Sequence, residues 1–386
     1  MKHFRGVHEK ELQQFFHATP KDFSKDLDKK NLGIALGATL YIPGSMPDIK
    51  SKLTNNQLKN LTNAIICLED SIADSELFLA ENNVIHELRL IDQGFEKGVI
   101  SEHELPLLFL RIRNAEQLQK LAEQLGSTIR LFTGIVFPKC TTSNAENFLS
   151  CLQDINQYYS TYLYALPILE TKEIIYAESR EQEITSLYKL FKQYEDIILT
   201  IRVGATDFTS LFGLRRPGNR TVYDIKLVSD CLTAILNQFT RQEDNFIVSG
   251  PVYDYFSSQN HAITTDDLNG FEAVLWNEVQ LDIDNGFFGK TCIHPSQIDI
   301  VNAAYIVPKE IYDDARLIVG NKDETNGVLR SSARNKMNEV KPHYNWALKI
   351  LTQAEIYGVL KENVTSLDFL QHIKNVQLTR RLKINN

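Results

Sequence analysis

The sequence predicts an α/β protein, a (β/α)8 TIM barrel with an N-terminal helical extension and a C-terminal helical tail. Three observations lead there. Eight short apolar runs recur along the chain. Longer segments with apolar residues at i, i+3, i+4 and i+7 separate them, as amphipathic helices require. No Gly-x-Gly-x-x-Gly follows an early run, which disfavours the alternative, an open doubly wound sheet.

The runs are GATLYIPG (37–44), AIICLEDS (64–71), LLFLRIRN (107–114), GIVFPKC (134–140), LYALPILE (163–170), ILTIRVGATD (198–207), FIVSGPV (246–252) and GKTCIHP (289–295). Apolar runs this short read as strands covered on both faces, the pattern of a parallel sheet. The segments 179–196 and 224–239 are typical of the linking helices. The expected division is a helical extension over 1–32, the barrel over 33–320, and a tail over 321–386. In the tail, 321–336 reads as a long loop, 346–360 as a helix, and a last short helix follows. Arg334, Glu339 and His343 there could form a lid or an oligomer contact, against the plainer reading of a loop leading into a packing helix.

Composition narrows the function. The 386 residues carry a formal charge of −8, which excludes a basic footprint for nucleic acid and a polybasic patch for membranes. No apolar run approaches the roughly 18 residues of a spanning helix. The first residues, MKHFRGVHEKELQQFF, lack the apolar core of a signal peptide. Cys67, Cys140, Cys151, Cys231 and Cys292 are scattered, odd in number and never spaced as CxxC. They read as buried free thiols in a cytoplasmic protein.

In a barrel the active site gathers at the carboxyl ends of the strands, and there the sequence repeatedly places capable groups. Pro43-Gly44 ends the first run, Glu69 and Asp70 the second, Arg111 and Arg113 the third, and Lys139 the fourth. Glu170 ends the fifth, Asp207 follows the sixth, Ser249-Gly250 ends the seventh and His294 the eighth. Glu170 and Asp207 would leave neighbouring strands, so their carboxylates could share one Mg2+, an ion usually held by one or two carboxylates plus water and substrate oxygens. Alternatively, Asp207 caps the helix that follows it. Arg111 and Arg113 share a face if their strand stays regular; they suit an anionic substrate, or a salt bridge to Glu69. Arg215 and Arg216 could reach an anion or be solvated. A lone His294 is more often a structural hydrogen-bonding group than a ligand.

These pieces, in this order, resemble one family. LYIPGSMPD, AIICLEDSI, FLRIRN, VFPKC, PILET, VGATDFTSLFGLRR and GKTCIHPSQI span residues 37 to about 300. Together they are similar to the HpcH/HpaI aldolase superfamily, in its citrate lyase β-subunit and malyl-CoA lyase group of Mg2+-dependent C–C lyases. RVGATDFTSLFGLRR and MNEVKPHYNWALKI (337–350) resemble more closely a bacterial branch of citrate-lyase-like C–C bond lyases associated with tellurite and stress-response gene clusters.

The resemblance implies Glu170 and Asp207 as Mg2+ ligands and Arg111 as the substrate-binding arginine. It implies that Glu69 and Asp70 act by hydrogen bonds to that arginine and to water on the metal. Pro43 and Gly44 would give backbone approach to substrate. Arg113 stands where the family usually has asparagine, so its substrate contacts depart from the pattern. The acid–base group is open between Asp70, His294 and a residue of another subunit. The expected partner is a small carboxylate or acyl thioester, and the expected assembly a homo-oligomer, trimer or hexamer. The rival readings are other enolate chemistry of the pyruvate/phosphoenolpyruvate type, and a non-catalytic ligand-binding scaffold.

Overall fold

The computed structural model describes residues 1–54, 58–101, 103–244, 246–256, 270–322, 327–331 and 335–384. All eight runs form strands: β1 (Ala38–Pro43), β2 (Asn63–Cys67), β3 (Leu107–Arg111), β4 (Phe132–Phe137), β5 (Tyr164–Leu169), β6 (Ile201–Val203), β7 (Val248–Ser249) and β8 (Lys290–Cys292). They make one eight-stranded sheet in which every pairing is parallel. β1 lies between β2 and β8. A parallel bridge from Gly250 to Lys290 and the bond from Phe288 N–H to Val248 O at 2.8 Å bring β7 alongside β8, closing the ring.

Every residue of β2 and β3 is buried, as expected of strands with the barrel interior on one face and helices on the other. The two linking helices read from the sequence are present as Ala177–Gln193 and Lys226–Phe239. Asn114, the last residue of FLRIRN, caps the helix Ala115–Leu125 by accepting from Gln117 N–H at 2.8 Å, which stops β3 and starts its helix within a few residues.

Packing divides the chain at other points than 32 and 320. One compact unit holds Met1 and Ser24–Ile298; the other joins Lys2–Phe23 to Asp299–Asn386. In the second unit the strand Phe16–Ala18 pairs antiparallel with Val359–Leu360, and Phe369 meets Phe4 and Phe16 edge-on at 5.1 and 4.9 Å. Within the stretch expected as a long loop, Val328–Arg330 forms a strand that pairs antiparallel with Met337–Glu339 just beyond it. Both strands are short and largely exposed, so no apolar alternation announced them. Arg334 lies outside the described residues. His343 Nδ1 accepts from Glu339 N–H at 3.2 Å, at the start of the helix Val340–Tyr357. The last helix, Ser366–Ile384, is longer than expected. All five thiols are free, and Cys67, Cys140, Cys231 and Cys292 are buried. Among the described residues no helix is long and apolar enough to cross a membrane.

Candidate active site

Five strand ends converge on one cluster. Arg111, the last residue of β3, turns its guanidinium to three acids at once. Its Nη2 lies 2.7 Å from Glu69 Oε2, 2.9 Å from Asp70 Oδ2 and 3.1 Å from Glu170 Oε1. The Tyr41 ring of β1 lies under the guanidinium, 5.9 Å from its centroid. Lys139, after β4, pairs with Glu69 and reaches Asp70 Oδ1 at 3.0 Å. The backbone of Lys139 takes φ 48°, a left-handed conformation uncommon for a residue with a Cβ. Its own N–H donates to Glu170 Oε1 at 2.9 Å, so the strained residue is also the one that holds a site carboxylate.

Glu170 is the deepest of the acids, its side chain 2% exposed against 50% for Asp70. Gly204, just past β6, makes room for it: a Cβ there would sit 2.2 Å from Glu170 Oε2. Asp207 follows on the short helix Ala205–Ser210. It lies inside that helix, whose N-cap is Gly204 with no side-chain cap bond, so the capping role considered for Asp207 is not the one it has. Burial, and next the opposition of Asp207, push the Glu170 carboxyl up to about 8 despite Arg111. Burial and the charge of Asp70 raise Asp207 as well. Asp70 goes the other way: burial would raise it, but hydrogen bonds with Glu69 and Lys139 hold it below the usual carboxylate range.

Four carboxylates and two cations leave this cluster with a formal charge of −2. Two neighbouring carboxylates that resist ionising together are what a divalent cation relieves. The donors are hard oxygens, suited to Mg2+ rather than to a soft metal. Among the described residues no group of three or more His, Cys, Asp and Glu is gathered as a metal site. A pair is nonetheless a fitting Mg2+ donor set, since that ion keeps water and substrate oxygens on its remaining positions.

The other expected residues fall elsewhere. Arg113 does not line the mouth beside Arg111, because β3 ends at Arg111 and the chain turns. Its Nε donates to Leu68 O at 2.9 Å, its Nη2 to Ile72 O at 2.6 Å, and Nη1 pairs with Asp74. Arg113 therefore clamps the loop that carries Glu69 and Asp70. Gly44 is closely packed, but against the protein: a Cβ would lie 2.6 Å from Leu68 Cδ2 and 3.1 Å from Cys67 O. Its N–H donates to Cys67 O at 2.8 Å and its carbonyl accepts from Asn83 at 2.8 Å. Pro43 ends β1 opposite Cys67. His294 caps a 3-10 turn, with Nδ1 2.8 Å from Ser296 Oγ and its ring stacked on Phe256 at 4.3 Å.

Arg216 is not solvated. It is buried, with Nη1 2.6 Å from Glu278 Oε2 and Nη2 2.9 Å from Asp254 Oδ2. Lys290 completes this second network, 2.9 Å from Glu278 Oε1 and 2.7 Å from Asp282 Oδ2. Lys139, a strand end in the sequence but not one of the residues expected to bind metal or substrate, joins the cluster around Arg111. Its signal is the lysine before the last residue of VFPKC.

The sequence model of the C–C bond lyase family of the TIM-barrel fold matches residues 30–359. The chain belongs to that family of carbon–carbon lyases. A search of curated proteins found no match to its sequence. Solved structures share the fold. A citrate lyase from Burkholderia xenovorans LB400 superposes with TM-score 0.61 at 16% identity, over 86% of this chain and 96% of that one. CitE of Mycobacterium tuberculosis, in complex with magnesium, acetoacetate and coenzyme A, gives 0.52 at 17% identity, over 82% and 97%. Haloferax volcanii malate synthase, as its magnesium/glyoxylate complex, gives 0.52 at 12% identity, over 70% and 76%.

Proposed function

We propose that the protein breaks or forms a C–C bond next to a carboxylate or carbonyl, in a small 2-oxo or 2-hydroxy acid or its thioester, through an enolate. The observation that carries this reading is the pair of buried or half-buried acids, Glu170 and Asp207, set against Arg111 with two negative charges in excess. Glu170 and Asp207 would hold Mg2+, which when bound supplies a Lewis acid and a template for a chelating 2-oxo acid. Magnesium complexes of the M. tuberculosis and H. volcanii proteins support that choice of ion.

The chain's own residues divide the remaining work. Glu69 and Asp70 fix the guanidinium of Arg111, which presents positive charge where an enolate oxygen develops. Lys139 keeps Asp70 ionised and its backbone N–H fixes Glu170. Asp70, the most exposed acid of the group that pairs with Arg111, is positioned to take or return the proton at carbon. Arg113 acts at one remove, by holding the loop of Glu69 and Asp70. In this reading the protein works as a cytoplasmic homo-oligomer.

Enolate formation is testable without knowing the natural substrate. Pyruvate in D2O should exchange its methyl protons when protein and Mg2+ are both present, followed by NMR. EDTA and Asp207→Ala should each stop the exchange. Exchange that survives Asp207→Ala in folded protein, or its absence in Mg2+-loaded protein, would count against the reading.

A further inference from the structure

The barrel interior holds one charged group that the chemistry above does not use. Arg202, in the middle of β6, is 1% exposed. Its register partners are Ile168 on β5 and Ser249 on β7. Nη2 donates to Thr291 Oγ1 at 2.6 Å. Thr291 belongs to β8, beyond β7, so the guanidinium reaches it across the inside of the barrel. Nε and Nη1 have no hydrogen-bond partner among the described residues. After burial, the groups acting most strongly on Arg202 are Tyr41, which also acts on it through a hydrogen bond, Cys292 and Arg111, none of them a carboxylate.

A buried guanidinium without a counter-charge destabilises the fold that contains it, and an apolar residue of similar volume would serve a barrel core better. The cost makes sense if the group meets an anion that arrives later. Other groups point the same way. Ser249 Oγ, Thr39 Oγ1 and Arg111 Nε are also buried without a hydrogen-bond partner among the described residues. Ser249 is in register with Arg202, and Thr39 with Thr291, so these residues share the inward face. Arg202 stands two residues before Gly204, against which Glu170 packs, and this places the subsite directly beneath the proposed metal acids.

We propose that Arg202, with Ser249 and Thr39, forms an oxyanion subsite inside the barrel mouth that receives a second anionic group of the substrate. The substrate would then be a dianion: one end would meet the cation that Glu170 and Asp207 would hold, and the other, a carboxylate or phosphoryl group, the Arg202 fork. This rests on the metal reading of the mouth given above. The charges agree with it. A bound Mg2+ would offset the two negative charges by which the four acids exceed Arg111 and Lys139, and Arg202 remains as one further positive charge.

Calorimetry on the full chain loaded with Mg2+ tests the subsite. The probes are 2-oxoglutarate against 2-oxovalerate, and oxaloacetate and 3-phosphonopyruvate against 2-oxobutyrate. At least one dianion should bind about tenfold or more tightly than its monoanionic counterpart, a factor worth about 1.4 kcal/mol. Whether the carboxylate or the phosphonate gains more identifies the oxyanion. Arg202→Met should bring that ratio close to one while Mg2+ and 2-oxovalerate bind within about twofold of wild type, and its thermal midpoint should hold or rise. Equal binding of all dianions and monoanions by the wild-type protein overturns the subsite without any variant. So does an Arg202→Met or Arg202→Gln protein that keeps the preference. Failure of Mg2+ itself to bind is a different result, which overturns the metal reading and the subsite with it.

Discussion

Two charged networks lie in the barrel unit, and they are built differently. At the mouth, Glu69, Asp70, Glu170 and Asp207 outnumber Arg111 and Lys139, and exposure runs from the buried Glu170 to the half-exposed Asp70. Behind β8, the side chains of Lys290, Glu278 and Asp282 are 0% exposed and that of Arg216 4%. There two cations meet two buried acids, with Asp254 at the margin. Tyr223 OH and Val222 N–H add hydrogen bonds at 2.7 and 2.6 Å. A balanced, closed network of this kind fixes structure, whereas an unbalanced, open one has charge to offer a cation.

The largest effect separating the two should come from the closed network. Lys290→Met leaves Asp282 buried without its cation and Glu278 with Arg216 alone. Breaking one side of such a pair costs on the order of 3–5 kcal/mol, read as a drop in the urea midpoint with an unchanged slope. At the mouth, Asp207→Asn should leave that midpoint unchanged or higher, because it removes a carboxylate that burial and Asp70 oppose. It should nonetheless weaken Mg2+ binding by about 100-fold or more, beyond the loss typical of residues that only support a ligand. A Lys290→Met protein as stable as wild type would erase the distinction.

Gly204→Ala sharpens it without touching a charge. The new Cβ would fall 2.2 Å from Glu170 Oε2, so the acid must move. Overpacking of this kind costs about 1–3 kcal/mol, and we expect Mg2+ affinity to fall about tenfold with it. Unchanged Mg2+ binding would separate Glu170 from the ion. The smallest effect should be that of Arg113→Ala. It frees the loop carrying Glu69 and Asp70, so proteolysis within 68–74 should speed up while Mg2+ affinity stays within about threefold. A loss of Mg2+ binding as large as that of Asp207→Asn would instead return Arg113 to the mouth.

The barrel was legible because each strand is a short apolar run and each run ends in polar residues: the pattern in sequence is the alternation in space. Glu69, Asp70, Arg111, Glu170 and Asp207 were readable for the same reason, since a strand end fixes where its next residues stand. Arg113 was not, because two-residue spacing predicts a shared face only while the strand continues, and β3 stops at Arg111. Lys139 depends on one left-handed backbone conformation that no periodicity reports. Glu278 and Asp282 sit one helical turn apart on Gly270–Asn285 and look in sequence like a solvated face. Only the fold puts Lys290 and Arg216 opposite them. Arg202 was hidden inside ILTIRVGATD, where an arginine between apolar residues gives no sign of which face it takes.

The central claim, that Glu170 and Asp207 together hold one divalent cation, is tested most directly by titrating Mn2+ as a Mg2+ substitute and counting bound ions by electron paramagnetic resonance. Wild-type protein should bind one ion per chain with a broadened signal, displaced by Mg2+, and Glu170→Gln and Asp207→Asn should each lose it while remaining folded. One ion bound with undiminished affinity by both variants would contradict the account.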